Sequence, residues 1–421
     1  MTGFAPKRVA EATWLDSLGP DQFQRLKDVF EIVKQPHEED FPQVLSLTNR
    51  GVVERDISLN EGQLAESYEN YQRVEVGDFV LNPMDLLSGW VAISSFEGVI
   101  SNAYFVFRLN AKSLRERENP KFYEYVLQIY YTLGLLEPFG KGVGRPENGG
   151  GRWTLNAETL GTIPLPKWSA DRQDLIVGYL DQELEQAGRL LSRVSKLLES
   201  LVLRRKALIS ESVLKGLEID VERKDSNVSW MGQIPAHWTV ARSRFLVDIT
   251  TGSGDTQDAD PEGAYPFYVR SDKPLRSNTF DFVGKAVLTA GDGAGVGKVF
   301  HLVDGKFKAH QRVYVMNNFR RVKSKYFFYL FSSMFASVAL DGSAKSTVDS
   351  LRRPTLANMH CTVPPMEEQE KIVSYLDSAT GSMDQLTQKA VKVIDSLIER
   401  RNALIFSAVS GKLDLEGAAH G

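Results

Sequence analysis

The chain has 421 residues, 42% hydrophobic and 25% charged, with a net charge of −4 and one cysteine, Cys361. This is the composition of a folded protein, so disorder and collagen-like or purely coiled-coil chains are excluded, and the length predicts two or three domains. A lone cysteine excludes a disulfide framework and a Cys-type zinc site, and the sequence has neither a run of about 18 apolar residues nor an apolar leader, which predicts a cytoplasmic protein without membrane contact.

Charge is segregated along the chain, at −6 for residues 1–168, −1 for 169–227, +6 for 228–365 and −3 for the remainder. Strand patterns run through Val76–Leu81, Gly89–Ile93 and Tyr104–Phe107, and an aromatic-rich helical run covers 120–134. A Gly-rich loop follows, then Pro164-Leu165-Pro166, which suits an extended approach to a helix. From 169 to 221 the spacing is that of one long helix and its linker, with polar residues from Glu222 to Asn227. Strand patterns then return at Val283–Leu288, Gly297–Leu302 and Arg312–Val315, with a second aromatic helical run at 324–340, Pro364-Pro365, a second long helix at 366–415 and a tail at 416–421. The predicted layout is domain (1–168), rod (169–221), domain (222–365), rod (366–415), a mixed α/β, or α+β, architecture.

Self-similarity organises this layout. Residues 172–219 align with 368–415 at a constant offset of 196, with 17 of 48 positions identical and no gap. Gln173, Ile176, Val177, Tyr179, Leu180 and Asp181 recur as Gln369, Ile372, Val373, Tyr375, Leu376 and Asp377. In the first copy Leu180, Leu184, Leu191, Leu198, Leu201 and Leu208 step by three, four or seven, as the seam of a coiled coil does. Leu376, Met383, Ile394, Leu397 and Leu404 keep the same phase in the second, and Arg205 and Arg401 interrupt both seams at one equivalent position. Each rod is expected to span 38–44 residues, roughly 55–65 Å at 1.5 Å per residue.

Four stretches carry a resemblance to a known family: Trp230-Met231-Gly232-Gln233-Ile234-Pro235-Ala236-His237-Trp238, Val363-Pro364-Pro365-Met366-Glu367-Glu368-Gln369, Arg400-Arg401-Asn402-Ala403-Leu404-Ile405 and Ser410-Gly411-Lys412-Leu413-Asp414-Leu415. In these the chain resembles the specificity subunit of type I restriction-modification systems, over essentially its whole length. The first half follows the pattern more loosely, with Trp14–Pro20 echoing the domain opening and Leu214-Lys215-Gly216 standing in for Ser410-Gly411-Lys412. The resemblance implies two target-recognition domains reading a bipartite, asymmetric site on double-stranded DNA, with the two long helices paired antiparallel as a spacer ruler. It further implies that those helices dock two methyltransferase subunits, that restriction/translocase subunits join them, and that this chain has no catalytic activity and no cofactor. S-adenosylmethionine, ATP and Mg are then expected in the partner subunits. A scaffold of a related phage-defence complex, without DNA binding, is the second reading.

Candidate DNA contacts are cations and amides on predicted loops. In the second domain these are Arg270, Lys298 in the Gly-rich loop, Lys306, Lys308, His310, Gln311 and Arg312 on a turn and strand, and Lys345, Ser346, Arg352 and Arg353 before the second rod. In the first domain they are Arg50 and the Gly-rich loop residues Lys141, Arg145, Asn148 and Arg152. The loop Gly291–Lys298 is not a nucleotide phosphate loop, because Asp292 replaces its first glycine, Val299 its Ser or Thr, and a β-rich run follows it. Asn82-Pro83-Met84-Asp85 likewise departs from the Asn-Pro-Pro-Tyr motif of adenine methyltransferases. The six histidines show no metal-ligand spacing, so no metal is expected.

Overall fold

In a computed structural model, described here for residues 20–36, 43–56, 68, 70–84, 86, 89–143, 152–340, 351–413 and 415, the chain forms two compact units. Unit 1 comprises Met1–Arg193 with Val393–Gly421, and unit 2 comprises Val194–Lys392. Four helices organise them: α1 (Pro120–Leu133), α2 (Ala170–Lys215), α3 (Ser324–Leu340) and α4 (Met366–Val409). The two long helices have 46 and 44 residues, the first slightly longer than its spacing predicts. The units cut across the linear division into domains and rods, since each long helix contributes one half to each unit. A helix with a single apolar stripe cannot stand alone, and each half buries that stripe in the core of its own unit.

Unit 1 is built on an antiparallel sheet whose strands, in spatial order, are Phe30–Val33, Phe105–Leu109, Phe79–Leu81 and Val91–Ile93. Both faces are covered, so the strands read as nearly unbroken apolar runs. Phe30, Phe79, Leu81 and Phe107 face α1, and alternate residues Val33, Val80, Ala92 and Val106 pack with Leu45, Val52, Val74 and Ile100 of two small two-stranded sheets. Helix α1 begins after Asn119, whose side chain accepts from the Lys121 amide, with Pro120 in its first turn. It ends at Gly134 in the left-handed conformation. The unit is completed by Ile176, Val177 and Leu180 of α2 and by Ile405, Phe406 and Val409 of α4. Trp168 Nε1 donates to the Val409 carbonyl at 2.9 Å and Arg400 approaches Glu183 at 3.9 Å, so these helix halves run antiparallel.

Unit 2 repeats the plan. Its main sheet has the order Asp248–Thr251, Val313–Asn317, Ala286–Ala290, Phe300–Val303, again all antiparallel. One face, with Ile249, Val287 and Met316, meets Phe327 and Phe331 of α3, and the other, with Leu288 and Val315, meets Phe307 and Ala309 of a smaller four-stranded sheet. Val213 of α2 and Ile372 and Leu376 of α4 close this core. Val213, the repeat equivalent of Val409, offers its carbonyl to Thr362 Oγ1 at 2.7 Å and Tyr326 Oη at 3.1 Å. Burial pushes the Cys361 thiol up to about 12, leaving it an inert core residue.

The same clamp joins domain to helix in each unit. Gln173 is fully buried, accepts the Asn119 amide at 2.7 Å and donates to the Trp168 carbonyl at 3.1 Å. Gln369, also fully buried, accepts the Lys323 amide at 2.8 Å and donates to the Pro364 carbonyl at 2.9 Å. Asp181 takes Lys121 and Tyr125 at 2.9 and 2.6 Å, as Asp377 takes Lys325 and Tyr329 at 2.7 Å each. Seam residues Leu180, Leu184, Leu191, Leu198, Leu201, Leu208, Leu376, Met383, Ile394, Leu397 and Leu404 are all buried or half-buried. The two seam arginines behave differently. Arg205 pairs with Asp384 inside unit 2, whereas Arg401 reaches Gln128 of α1 in unit 1.

Candidate nucleic-acid interface

The strongest convergence of predicted contacts lies at one end of the unit 2 sheet. The strand Ala286–Ala290 runs into the Gly-rich loop, and Gly291 holds two neighbours by backbone, donating to the Arg312 carbonyl at 2.8 Å and accepting the Leu351 amide at 2.7 Å. Tyr314 Oη fixes the Leu351 carbonyl at 3.1 Å. Three separate segments, bearing Arg270, Arg312 and Arg352, are thereby brought to one edge. Asp292 stands between the first two, 2.9 Å from Arg270 Nη1 and 3.2 Å from Arg312 Nη1. The carboxylate is 27% exposed and the guanidiniums 45% and 54%, so one acid orients two arginines that face water with a net positive charge. Lys298, Gln311 and Arg352 are exposed beside them.

The glycines of this loop serve packing within the protein. A side chain at Gly295 would collide with the Arg270 carbonyl at 2.4 Å, and one at Gly293 would press on the Arg270 guanidinium at 3.3 Å. The loop is therefore a close-packed support for Arg270.

Two predicted contacts are corrected by burial. Lys308, expected as a DNA contact on a turn and strand, is 8% exposed, 3.6 Å from both Asp258 and Asp281 and 3.2 Å from Thr279 Oγ1. It neutralises an acidic pocket behind the smaller sheet. His310 is also buried, its ring against Phe267 and its Nδ1 accepting the Arg312 amide at 3.0 Å, so it shapes the turn that presents Gln311 and Arg312. Burial holds His310, like His301, below the ordinary imidazole range. Arg353 is partly used by the fold, its Nε donating to the Ile249 carbonyl at 3.2 Å. Lys306 stays exposed, 4.8 Å over the Phe280 ring.

In unit 1, Arg50 is exposed on the turn between Leu45–Thr48 and Gly51–Glu54, and Lys141 is exposed on a hairpin whose returning strand carries Arg152. Arg145, Asn148, Lys345 and Ser346 lie outside the described residues. Sequence reading missed a second basic edge of unit 2. Arg242 and Arg244 both donate to Asn358 Oδ1, at 3.3 and 3.1 Å, with Arg320 and Arg321 also exposed and Phe245 60% exposed. The available signal was the pair of dibasic stretches, Arg242-Ser243-Arg244 and Arg320-Arg321. No group of His, Cys, Asp or Glu among the described residues has a metal-binding arrangement, and no described helix is long and apolar enough to cross a membrane.

Comparison with known proteins covers the segment that holds the Arg270 edge. Residues 237–395, which include it, match the type I restriction modification DNA specificity domain. The specificity subunit of the type I restriction enzyme EcoDI from Escherichia coli is 27% identical over 186 residues, an alignment spanning 44% of this chain and 40% of that protein. The fold matches a chain from a structure reported for complex assembly and conformational transition of the type I R-M system, with a TM-score of 0.62 at 15% identity, covering 94% of this chain and 99% of that one. Residues 237–395 thus resemble the DNA specificity domain of type I restriction-modification systems, and the chain shares its fold with a chain of such a system.

Proposed function

We propose that this chain is the DNA-reading subunit of a type I restriction-modification complex, recognising a bipartite asymmetric site with one half-site per unit. The observation that carries this is the doubled architecture: one strand order and one helix clamp occur twice, while the exposed cationic loops differ between the units. A repeated frame with unequal loops suits two unlike half-sites. The Arg270–Asp292–Arg312 edge with Arg352, Lys298 and Gln311 supplies the unit 2 contacts, and Arg50, Lys141 and Arg152 belong to those of unit 1. The long helices act as the spacer and as the docking surface for two methyltransferase subunits. Supporting this, Leu190, Leu197, Val202 and Leu203 of α2 and Leu386, Val391, Val393 and Ile398 of α4 are exposed, an apolar content that a partner would cover. In this reading the chain itself is not catalytic, and S-adenosylmethionine, ATP and Mg belong to the methyltransferase and restriction subunits.

The test is genome-wide adenine methylation in cells expressing this chain with its methyltransferase, against the methyltransferase alone. A split asymmetric motif that requires this chain is expected. Joint Arg270→Glu, Arg312→Glu and Arg352→Glu substitution should weaken DNA binding by the assembled complex and reduce its salt slope by about one for each phosphate no longer neutralised. Unchanged affinity and slope would instead favour a scaffold without DNA binding.

A further inference from the structure

The repeat exposes an imbalance between its two seam arginines. Arg205 is neutralised by Asp384. The position equivalent to Asp384 at the 196-residue offset is Gly188, so Arg401 has no corresponding acid. Among the described residues its one hydrogen bond is to Gln128 Oε1, a neutral acceptor, at 3.3 Å. Burial disfavours its charge, and the nearby Glu124 carboxylate offsets that only in part, so the half-buried guanidinium is costly to maintain.

Arg401 opens onto a cleft in unit 1 of about 440 Å³, whose walls include Arg50, Trp90, Lys121, Glu124 and Gln128. Lys121 is already paired with Asp181 at 2.9 Å, and the Glu124 carboxylate accepts the Ile93 amide at 2.9 Å. The Arg50 side chain makes no ion pair among the described residues. With Glu124 set against Arg401 and Lys121 against Asp181, the Arg50 guanidinium leaves the cleft with an excess of positive charge.

We propose that this cleft binds a phosphate-bearing nucleotide, with Arg401 and Arg50 meeting the phosphate. The volume lies in the range of small-molecule sites. Guanidinium is the side-chain group best matched to phosphate oxygens. Trp90 provides a flat aromatic wall for a base, and the Glu124 carboxyl can pair with a base edge. The same phosphate chemistry occurs in a DNA backbone, so the experiment separates the two sources.

The full chain is titrated by calorimetry with AMP, inorganic phosphate and adenosine, and separately with duplex DNA. One AMP should bind per chain, with phosphate weaker and adenosine weaker still. Arg401→Gln should lower AMP affinity at least about tenfold, as expected for removal of a charged hydrogen bond. Gly188→Asp should do the same by returning the missing counter-ion, and Gly188→Asn, equal in size but neutral, should leave AMP binding intact. A Cβ at Gly188 meets nothing within 4 Å, so both variants fold, which thermal unfolding checks. Absence of AMP binding to the folded wild-type chain overturns the proposal. So does AMP binding that tolerates both Arg401→Gln and Gly188→Asp, or an Arg401 dependence seen with duplex DNA alone.

Discussion

Units 1 and 2 share a strand order and a four-point clamp, and they differ in how they are assembled from the chain. Unit 2 is one continuous segment, whereas unit 1 joins residues 1–193 to 393–421. They differ too in what surrounds the clamp. Beside it, unit 1 places Arg172 4.0 Å over the Trp168 ring, and unit 2 places the equivalent Glu368 2.8 Å from Trp238 Nε1. The groups that tie domain to helix are repeated almost atom for atom, and the groups just outside them are free to change sign. A duplicated fold tolerates divergence where side chains face water or a replaceable partner, and resists it where a buried amide must be satisfied.

The largest break in this comparison comes from truncation after Lys392. Unit 2 keeps all its residues, while unit 1 loses the buried Ile405, Phe406 and Val409. Their burial is worth on the order of 5 kcal/mol in sum, comparable to the whole stability of a domain. Calorimetry should then show one surviving transition, and limited proteolysis should degrade unit 1 selectively; two native transitions would refute the division. A smaller and symmetrical effect is expected from Gln173→Leu and Gln369→Leu. Each strands a part-buried backbone amide and should cost about 1–3 kcal/mol, confined to its own unit, in urea unfolding followed by unit-specific hydrogen exchange. The smallest effect sharpens a difference. Unit 2 holds His301 and His310, both depressed by burial, so their contribution is complete above the ordinary histidine pKa of about 6.5 and is lost as pH falls through their lower folded values. Acidification below about pH 6.5 should therefore lower the unit 2 transition, and His310→Gln should lessen the drop; an unchanged slope in that variant would remove His310 from the account.

Much of the frame was legible because apolar spacing reports burial directly. The stripe from Leu180 to Leu208 is buried or half-buried, while Leu190, Leu197, Val202 and Leu203, off the stripe, are exposed. Arg270 and Arg312 were visible as cations on turns, but nothing local announces that Asp292 orients both. Lys308 and His310 misled because alternation along a strand shows which side chains share a face, without showing that both faces are covered. The Lys-x-x-x-Tyr pairs of α1 and α3 were hidden by arithmetic: Lys121 and Tyr125 recur as Lys325 and Tyr329 at an offset of 204, whereas the long helices repeat at 196. The change of offset between domain and helix erases the joint repeat that the clamp makes evident in space.

The discontinuity of unit 1 also sets an order of events during synthesis. Domains ordinarily fold from the N-terminus as they leave the ribosome. Here the second unit has its full complement once Lys392 has emerged, while the first must wait for Ile405 and Val409. The first domain made is finished after the second, and until then the nascent chain carries its sheet complete but its core open.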